Sequence, residues 1–265
     1  MPILRPKLDI PLTSPTLPAP VMFRSAYVPD HGLYPEHQHA WGEFVYSFSG
    51  VMEVKVQGHH FLAPPQYGIW LPPHLEHVGL NRKAAHHCSL YVSTALCRPL
   101  PAEPCALTVS PLVRAMLEHL RLQPAGSAVS GPEARLLKVL LDQLTLAPRA
   151  GSYLPGSDDP ALGAVLRLLQ AHPGDNRSLP ELAHAVHSTE RTLARRCQKE
   201  LGMSLGQWRT RLRMVKALDW LRGEMPVQEI AWRLGYTSTS AFIAMFQRQA
   251  GCTPEQYRRT HIRTR

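Results

Sequence analysis

The chain has 265 residues, enough for two medium domains, and its 44% hydrophobic and 18% charged residues are those of a soluble globular protein rather than a membrane protein. No apolar run approaches the roughly 20 residues that cross a bilayer, which excludes a membrane-spanning helix. The net charge of +9 is unevenly placed: residues 1–159 hold 12 Lys/Arg and 12 Asp/Glu, whereas residues 160–265 hold 17 and 8, so only the second part is expected to meet a polyanion.

In chain order, residues 1–20 carry six prolines and lack the apolar core of a signal peptide. They read as a proline-rich arm of a cytoplasmic protein. Residues 21–95 read as short β segments, with runs at 44–48, 52–56 and 68–71. Gly50, Gly58 and Pro64-Pro65 break them at the spacing of a sandwich or barrel. Residues 110–123 and 132–146 switch to helical periodicity. Leu112, Val113, Met116, Leu117 and Leu120 share one face, and Leu136, Leu137, Leu140, Leu141 and Leu144 another. These stripes fit either the β domain or a second subunit of a homodimer. The Pro/Gly/Ser-rich stretch 147–159 reads as a linker. The five cysteines are scattered without a C-x-x-C pair, which argues against a disulfide framework or a cysteine zinc finger.

Residues 160–265 read as all helix and contain an internal repeat. Ser178-Leu179-Pro180-Glu181-Leu182-Ala183 corresponds to Pro226-Val227-Gln228-Glu229-Ile230-Ala231 at an offset of 48. Leu193, Cys197, Gly202 and Ser204 correspond to Phe242, Phe246, Gly251 and Thr253 at an offset of 49. Each copy has a short helix, a tight turn and a longer helix ending in glycine, the outline of a helix-turn-helix. In the first copy Ser178 and Glu181 form a capping-box pattern. Its second helix is expected from Thr189 to about Leu201, with Leu193 and Cys197 inward and Glu190, Arg191, Ala194 and Arg195 on the open face. Arginine is shaped to bond guanine bidentately, so Arg191 and Arg195 are the candidate base readers. A long helix over 205–222 joins the copies, and its polar face is expected to carry Arg209, Arg211, Arg213 and Lys216.

On these motifs, residues 160–262 resemble the AraC/XylS family of transcription regulators. The second-copy signature runs from Ile230-Ala231 through Gly235-Tyr236, Ser238, Ser240 and Phe242 to Gly251, Thr253-Pro254 and Tyr257-Arg258. The first copy carries the family's pattern as Arg191-Thr192-Leu193-Ala194-Arg195. The resemblance implies double-stranded promoter DNA and RNA polymerase as partners, a homodimer, and a small-molecule effector. Where the family commonly has basic residues in the second recognition helix, this chain has Ala244 and Gln247. Thr239 and Ser240 are left as modest base readers, with Arg248 and Arg258 as phosphate contacts.

Residues 32–81 resemble a cupin barrel. The first motif runs from Gly32 through His37, His39 and Glu43 to Gly50, and the second from Gly68 through Pro72 and His77 to Asn81, with His74 where glycine is usual. By resemblance, His37, His39, Glu43 and His77 converge on one divalent ion. Three imidazoles and a carboxylate suit Zn, Fe, Ni, Mn or Cu without choosing among them. On a strand, His37 and His39 share a face. The alternatives are a polar pocket for an organic effector, or solvated loop histidines. His59-His60 and His86-His87-Cys88 have no such spacing and read as structural or surface residues.

The expected fold is therefore a multidomain α+β chain: an arm (1–20), a cupin-like β-barrel sensor with a helical extension (21–146), a linker (147–159), and an all-α domain with two helix-turn-helix units (160–265). The expected function is sequence-specific transcription regulation controlled from the barrel, without catalysis. A metal-dependent cupin enzyme with a nucleic-acid-binding appendage is the alternative.

Overall fold

A computed structural model describes residues 8, 16–56, 59–81, 84–123 and 131–261. Most of the proline-rich arm therefore lies outside the described residues. The chain divides into two compact units, residues 1–153 and 154–265.

The first unit is built from two antiparallel sheets. A six-stranded sheet has the order β1 (Val21–Val28), β8 (Ala85–Val92), β3 (Gly42–Ser47), β6 (Tyr67–Leu71), β9 (Cys105–Thr108) and β10 (Arg149–Ala150). A four-stranded sheet has the order β2 (Leu33–His37), β7 (His77–Leu80), β4 (Met52–Val56) and β5 (His59–Ala63). The runs expected at 44–48, 52–56 and 68–71 thus lie in or on β3, β4 and β6.

Strand alternation gives the larger sheet two different faces. Outward, Val21, Phe23, Phe44, Tyr46, Trp70 and Leu90 join one apolar cluster. Helices α1 (Pro111–Arg121) and α2 (Gly131–Leu146) cover it with Val113, Met116, Leu117, Leu120, Leu137, Leu140, Leu141 and Leu144. The two leucine stripes are therefore packed within their own unit, with Leu112 left 53% exposed. Inward, the same sheet presents Arg24, Ala26, Glu43, Val45, Ser89 and Tyr91 to a cavity. A sheet face this polar in a barrel interior makes a pocket, because buried polar groups need partners.

Residues 147–159, expected as a linker, divide between the units. Arg149–Ala150 pair with β9, Leu62 N donates to Ser152 Oγ (3.2 Å), and Tyr153 N donates to Leu62 O (3.0 Å). The free edge of β9 offers unpaired backbone groups that this short strand satisfies. Asp159 caps the next helix by accepting from Leu162 N.

The second unit is helical: α3 (Pro160–Ala171), α4 (Leu179–Ala185), α5 (Glu190–Arg196), α6 (Leu205–Leu221), α7 (Val227–Arg233), α8 (Thr239–Ala250) and α9 (Pro254–His261). A π-helical turn, Cys197–Leu201, extends α5 to left-handed Gly202, which accounts for the expected helix end near Leu201. Leu182, Leu193, Cys197, Trp208, Leu218, Ile230, Phe242 and Phe246 are buried.

Candidate functional site

The sequence repeat is a geometric repeat. After α4, His187 N donates to His184 O and Ser188 N to Ala183 O; after α7, Gly235 N donates to Trp232 O and Tyr236 N to Ala231 O. Both turns reverse through a left-handed residue, His187 at φ 51° and Gly235 at φ 76°. Thr189 Oγ1 then caps α5 by accepting from Thr192 N, and Ser238 Oγ caps α8 by accepting from Ala241 N. Glycines 202 and 251 end the two second helices at φ 66° and 73°. The second turn is one residue longer, which accounts for the change of offset.

On α5, Leu193 is buried while Glu190, Arg191, Ala194 and Arg195 are exposed along one face. Arg191 and Arg195 have no ion pair among the described residues, so both guanidiniums are available. Their neighbour Arg196 is engaged, donating to Asp159 (2.9 Å). On α8 the open face carries Ser240, Ala241, Ala244, Gln247 and Arg248, whereas Thr239 is half-buried beside the cap. Arg258, expected at phosphate, is committed elsewhere: it donates to Leu221 O (3.2 Å) and Met225 O (2.5 Å) and so ties α9 to the end of α6. Arg209 and Arg213, expected on a polar face of α6, likewise turn onto backbone of the same unit. Sequence reasoning missed Ala241 as a member of the α8 face; its spacing of three residues to Ala244 and seven to Arg248 carries that signal.

In the barrel, His37 ends β2, Glu43 lies on β3 and His77 opens β7, so both sheets contribute. His39 lies in the loop after β2, and its convergence with His37 does not come from strand alternation. Its ring stacks on Trp41 at 5.1 Å with an interplanar angle of 4°. The ligand atoms of His37, His39 and His77 lie within 4.8 Å of one another. Glu43 Oε2 is 3.1 Å from His39 Nε2 and 3.6 Å from His77 Nε2.

Each ring is fixed from behind. His37 Nδ1–H donates to Pro35 O (2.8 Å), His39 Nδ1–H to Trp41 O (2.7 Å) and His77 Nδ1–H to Leu75 O (2.9 Å). A carbonyl only accepts, so each Nδ1 carries a proton and each Nε2 faces the shared centre. Backbone-held Nδ1–H groups are the usual support of metal-ligating histidines. Burial, and then the neighbouring His77 ring, hold His37 below the ordinary histidine range, which keeps its Nε2 lone pair free at neutral pH. Burial pushes the Glu43 carboxyl up, but hydrogen bonds from His39 and His77 outweigh it and hold the group well below the carboxylate range. Burial lowers His77, and its bond to Glu43 more than offsets this, leaving it raised.

The cavity of about 60 Å³ extends from this centre to Arg24, Tyr34 and Tyr91, with Val54 and Leu71 as apolar wall. His87, expected as a structural or surface residue, is buried and lines it too. Strand alternation along β8, once that strand is paired with β1, places it there beside Ser89 and Tyr91. Asn81 is structural: its Nδ2 donates to Val28 O and Pro29 O and holds the turn before β2. His74 occupies a left-handed position, φ 60°, which is why glycine is usual there.

Two capped helix-turn-helix units on a basic unit, in the same chain as a barrel with a polar cavity, define a DNA-binding regulator with a ligand-binding domain. The comparisons with known proteins agree: residues 19–187 match the AraC-like ligand binding domain and residues 182–260 a helix-turn-helix domain. The chain is 33% identical over 223 residues, 84% of its length and 81% of the relative's, to the HTH-type transcriptional regulator NimR of Escherichia coli (strain K12). It is 31% identical over 138 residues, 49% of its length and 47% of the relative's, to the HTH-type transcriptional activator RhaR of Yersinia pseudotuberculosis serotype O:1b. Among solved structures, the C-terminal domain of AraT from Geobacillus stearothermophilus aligns at 32% identity over 39% of this chain and 88% of that one, with a TM-score of 0.38. The chain belongs to the AraC family of transcription regulators. It is a regulator, not an enzyme, and among the described residues no helix is long and apolar enough to cross a membrane.

Because the basic unit meets the DNA backbone, affinity for duplex DNA should fall steeply with ionic strength. Six to ten phosphate contacts would weaken binding by about 10³–10⁵ between roughly 50 and 200 mM salt. A flat response in a fluorescence-anisotropy titration would contradict that assignment.

Proposed function

We propose that His37, His39, His77 and Glu43 hold one divalent metal ion in the barrel, and that occupancy of the barrel by metal and effector controls how the chain binds promoter DNA. The observation that carries this reading is the common orientation of the three rings: every Nδ1–H is spent on a backbone carbonyl, and every Nε2 faces the same point beside a carboxylate. Three nitrogens and one oxygen are a donor set for Zn, Fe, Ni, Mn or Cu. A bound ion supplies a fixed positive charge and a cross-link. Since His37 and His77 belong to one sheet and Glu43 to the other, that cross-link would stiffen the barrel where the cavity opens. Trp41 adds a buried indole Nε1 that has no hydrogen-bond partner among the described residues, a donor available to a ligand. In this reading the protein is a cytoplasmic homodimer that acts on RNA polymerase at a promoter, with sequence read chiefly by Arg191 and Arg195, more modestly by Thr239 and Ser240, and with Arg248 positioning the second unit on phosphate.

The test is elemental analysis of untagged protein beside a His37→Ala/His39→Ala variant, with promoter affinity measured on both. About one ion per chain in the wild type, lost in the variant together with the metal dependence of DNA binding, is the expected result. No ion in either after reconstitution would make the barrel a pocket for an organic ligand alone. A retained ion that leaves DNA affinity unchanged would remove the regulatory half of the reading.

A further inference from the structure

The arginines of α6 join the two helix-turn-helix units through a second route besides the helix itself. Arg213 reaches back to the loop between α3 and α4. Its Nε–H donates to Pro173 O (3.1 Å), and one terminal amino group donates to Asp175 O (3.3 Å) and Asn176 Oδ1 (2.7 Å). The same guanidinium lies over the Tyr236 ring, 5.2 Å from its centroid. Asn176 in turn donates through Nδ2 to Gly235 O (2.7 Å). One turn earlier on α6, Arg209 donates to Arg177 O (2.7 Å). The 172–177 loop leads directly into the first unit, and Gly235-Tyr236 form the turn of the second.

The backbones at this point are in direct contact. A Cβ on Gly174 would lie 2.6 Å from Arg233 O, and one on Gly235 would lie 2.3 Å from Gly174 O. A side chain at either position would force the loop and the turn apart. α6 alone would be a lever held at two loops; the clasp closes the triangle.

We infer that this clasp fixes the separation and angle of α5 and α8, and that Arg213 is therefore a positioning residue that sets the spacing between the two half-sites in the operator. One planar guanidinium reaching two carbonyls, an amide oxygen and an aromatic face is a task that lysine, a compact point charge, does not reproduce. One extra base pair between half-sites moves the second groove by about 3.4 Å and turns it by about 34°. A rigid pair of readers rejects such a change, whereas a hinged pair follows it.

The experiment is site selection with the full chain on a pool of randomised duplex DNA, for the wild type, Arg213→Gln and Arg213→Lys. The selected wild-type site is then compared with the same site carrying one inserted base pair. The wild type should recover two half-sites at a single spacing and lose roughly tenfold or more in affinity on insertion, while the variants keep both half-site sequences, accept more than one spacing, and lose less than about threefold. Arg213→Lys keeps the charge, so weaker attraction to phosphate cannot imitate the effect. Exposed Asn176→Ala provides the same reading if the Arg213 variants do not fold by circular dichroism. Folded variants that retain the single spacing and the full insertion penalty would overturn the inference. So would a wild type that recovers only one half-site or tolerates several spacings.

Discussion

Gly235→Ala is expected to destabilise the helical unit by about 2–4 kcal/mol, from a left-handed residue gaining a Cβ and from overpacking. Gly235 sits at φ 76°, and its added Cβ would lie 2.3 Å from Gly174 O, a backbone atom that cannot rotate away. A small part of the loss is returned because alanine narrows the unfolded ensemble. The internal repeat supplies the control. His187 occupies the equivalent turn position at φ 51° and carries an exposed side chain. The first turn therefore accepts a side chain, and His187→Gly should change stability by no more than about 1 kcal/mol. Urea unfolding followed by helical circular dichroism reads both variants. An unchanged midpoint for Gly235→Ala would show that the loop and turn are not held together, and would weaken the clasp described above.

That contrast also marks how far the sequence could be read. The two helix-turn-helix units were legible because each element carries a local signal: Ser178 and Glu181 at one start, Gly202 and Gly251 at the ends, and apolar residues at i, i+4 between. The leucine stripes of α1 and α2 were legible as helices, but their partner was not, because periodicity says which face is buried and not what buries it. The sheet that buries them was itself legible only as short strands. His37, His39, Glu43 and His77 could be singled out by spacing, although His39 meets His37 through a loop stacked on Trp41 and not along one strand. The arginines of α6 show where local reading ends. Arg209 and Arg213 fall among polar helix positions, yet their partners lie 32 to 40 residues away at Arg177, Pro173, Asp175 and Asn176. No local pattern reports such a contact. Nor does spacing reveal Arg24 and His87 in the cavity, which follow only once β1 and β8 are paired.

Arg191→Ala and Arg195→Ala should each weaken binding to the cognate operator by about 1–3 kcal/mol, the loss expected when a bidentate base contact is removed. Both side chains project from the open face of α5 one turn apart, and neither is held by a carboxylate among the described residues, so binding DNA breaks no ion pair there. Arg196 is the internal comparison: it is spent on Asp159 at 2.9 Å and should affect DNA affinity far less when replaced. Ser240→Ala on α8 removes a single hydroxyl and is expected to cost under about 1 kcal/mol. The discriminating measurement is the ratio of operator to unrelated-duplex affinity at one fixed salt concentration. Loss of a base reader lowers the ratio, whereas loss of a phosphate contact lowers both affinities together. If Arg191→Ala and Arg195→Ala leave the ratio intact while Arg248→Ala or Ser240→Ala lowers it, the second unit and not the first reads the sequence. The two arginines would then belong to the backbone contacts that give the basic unit its grip on DNA.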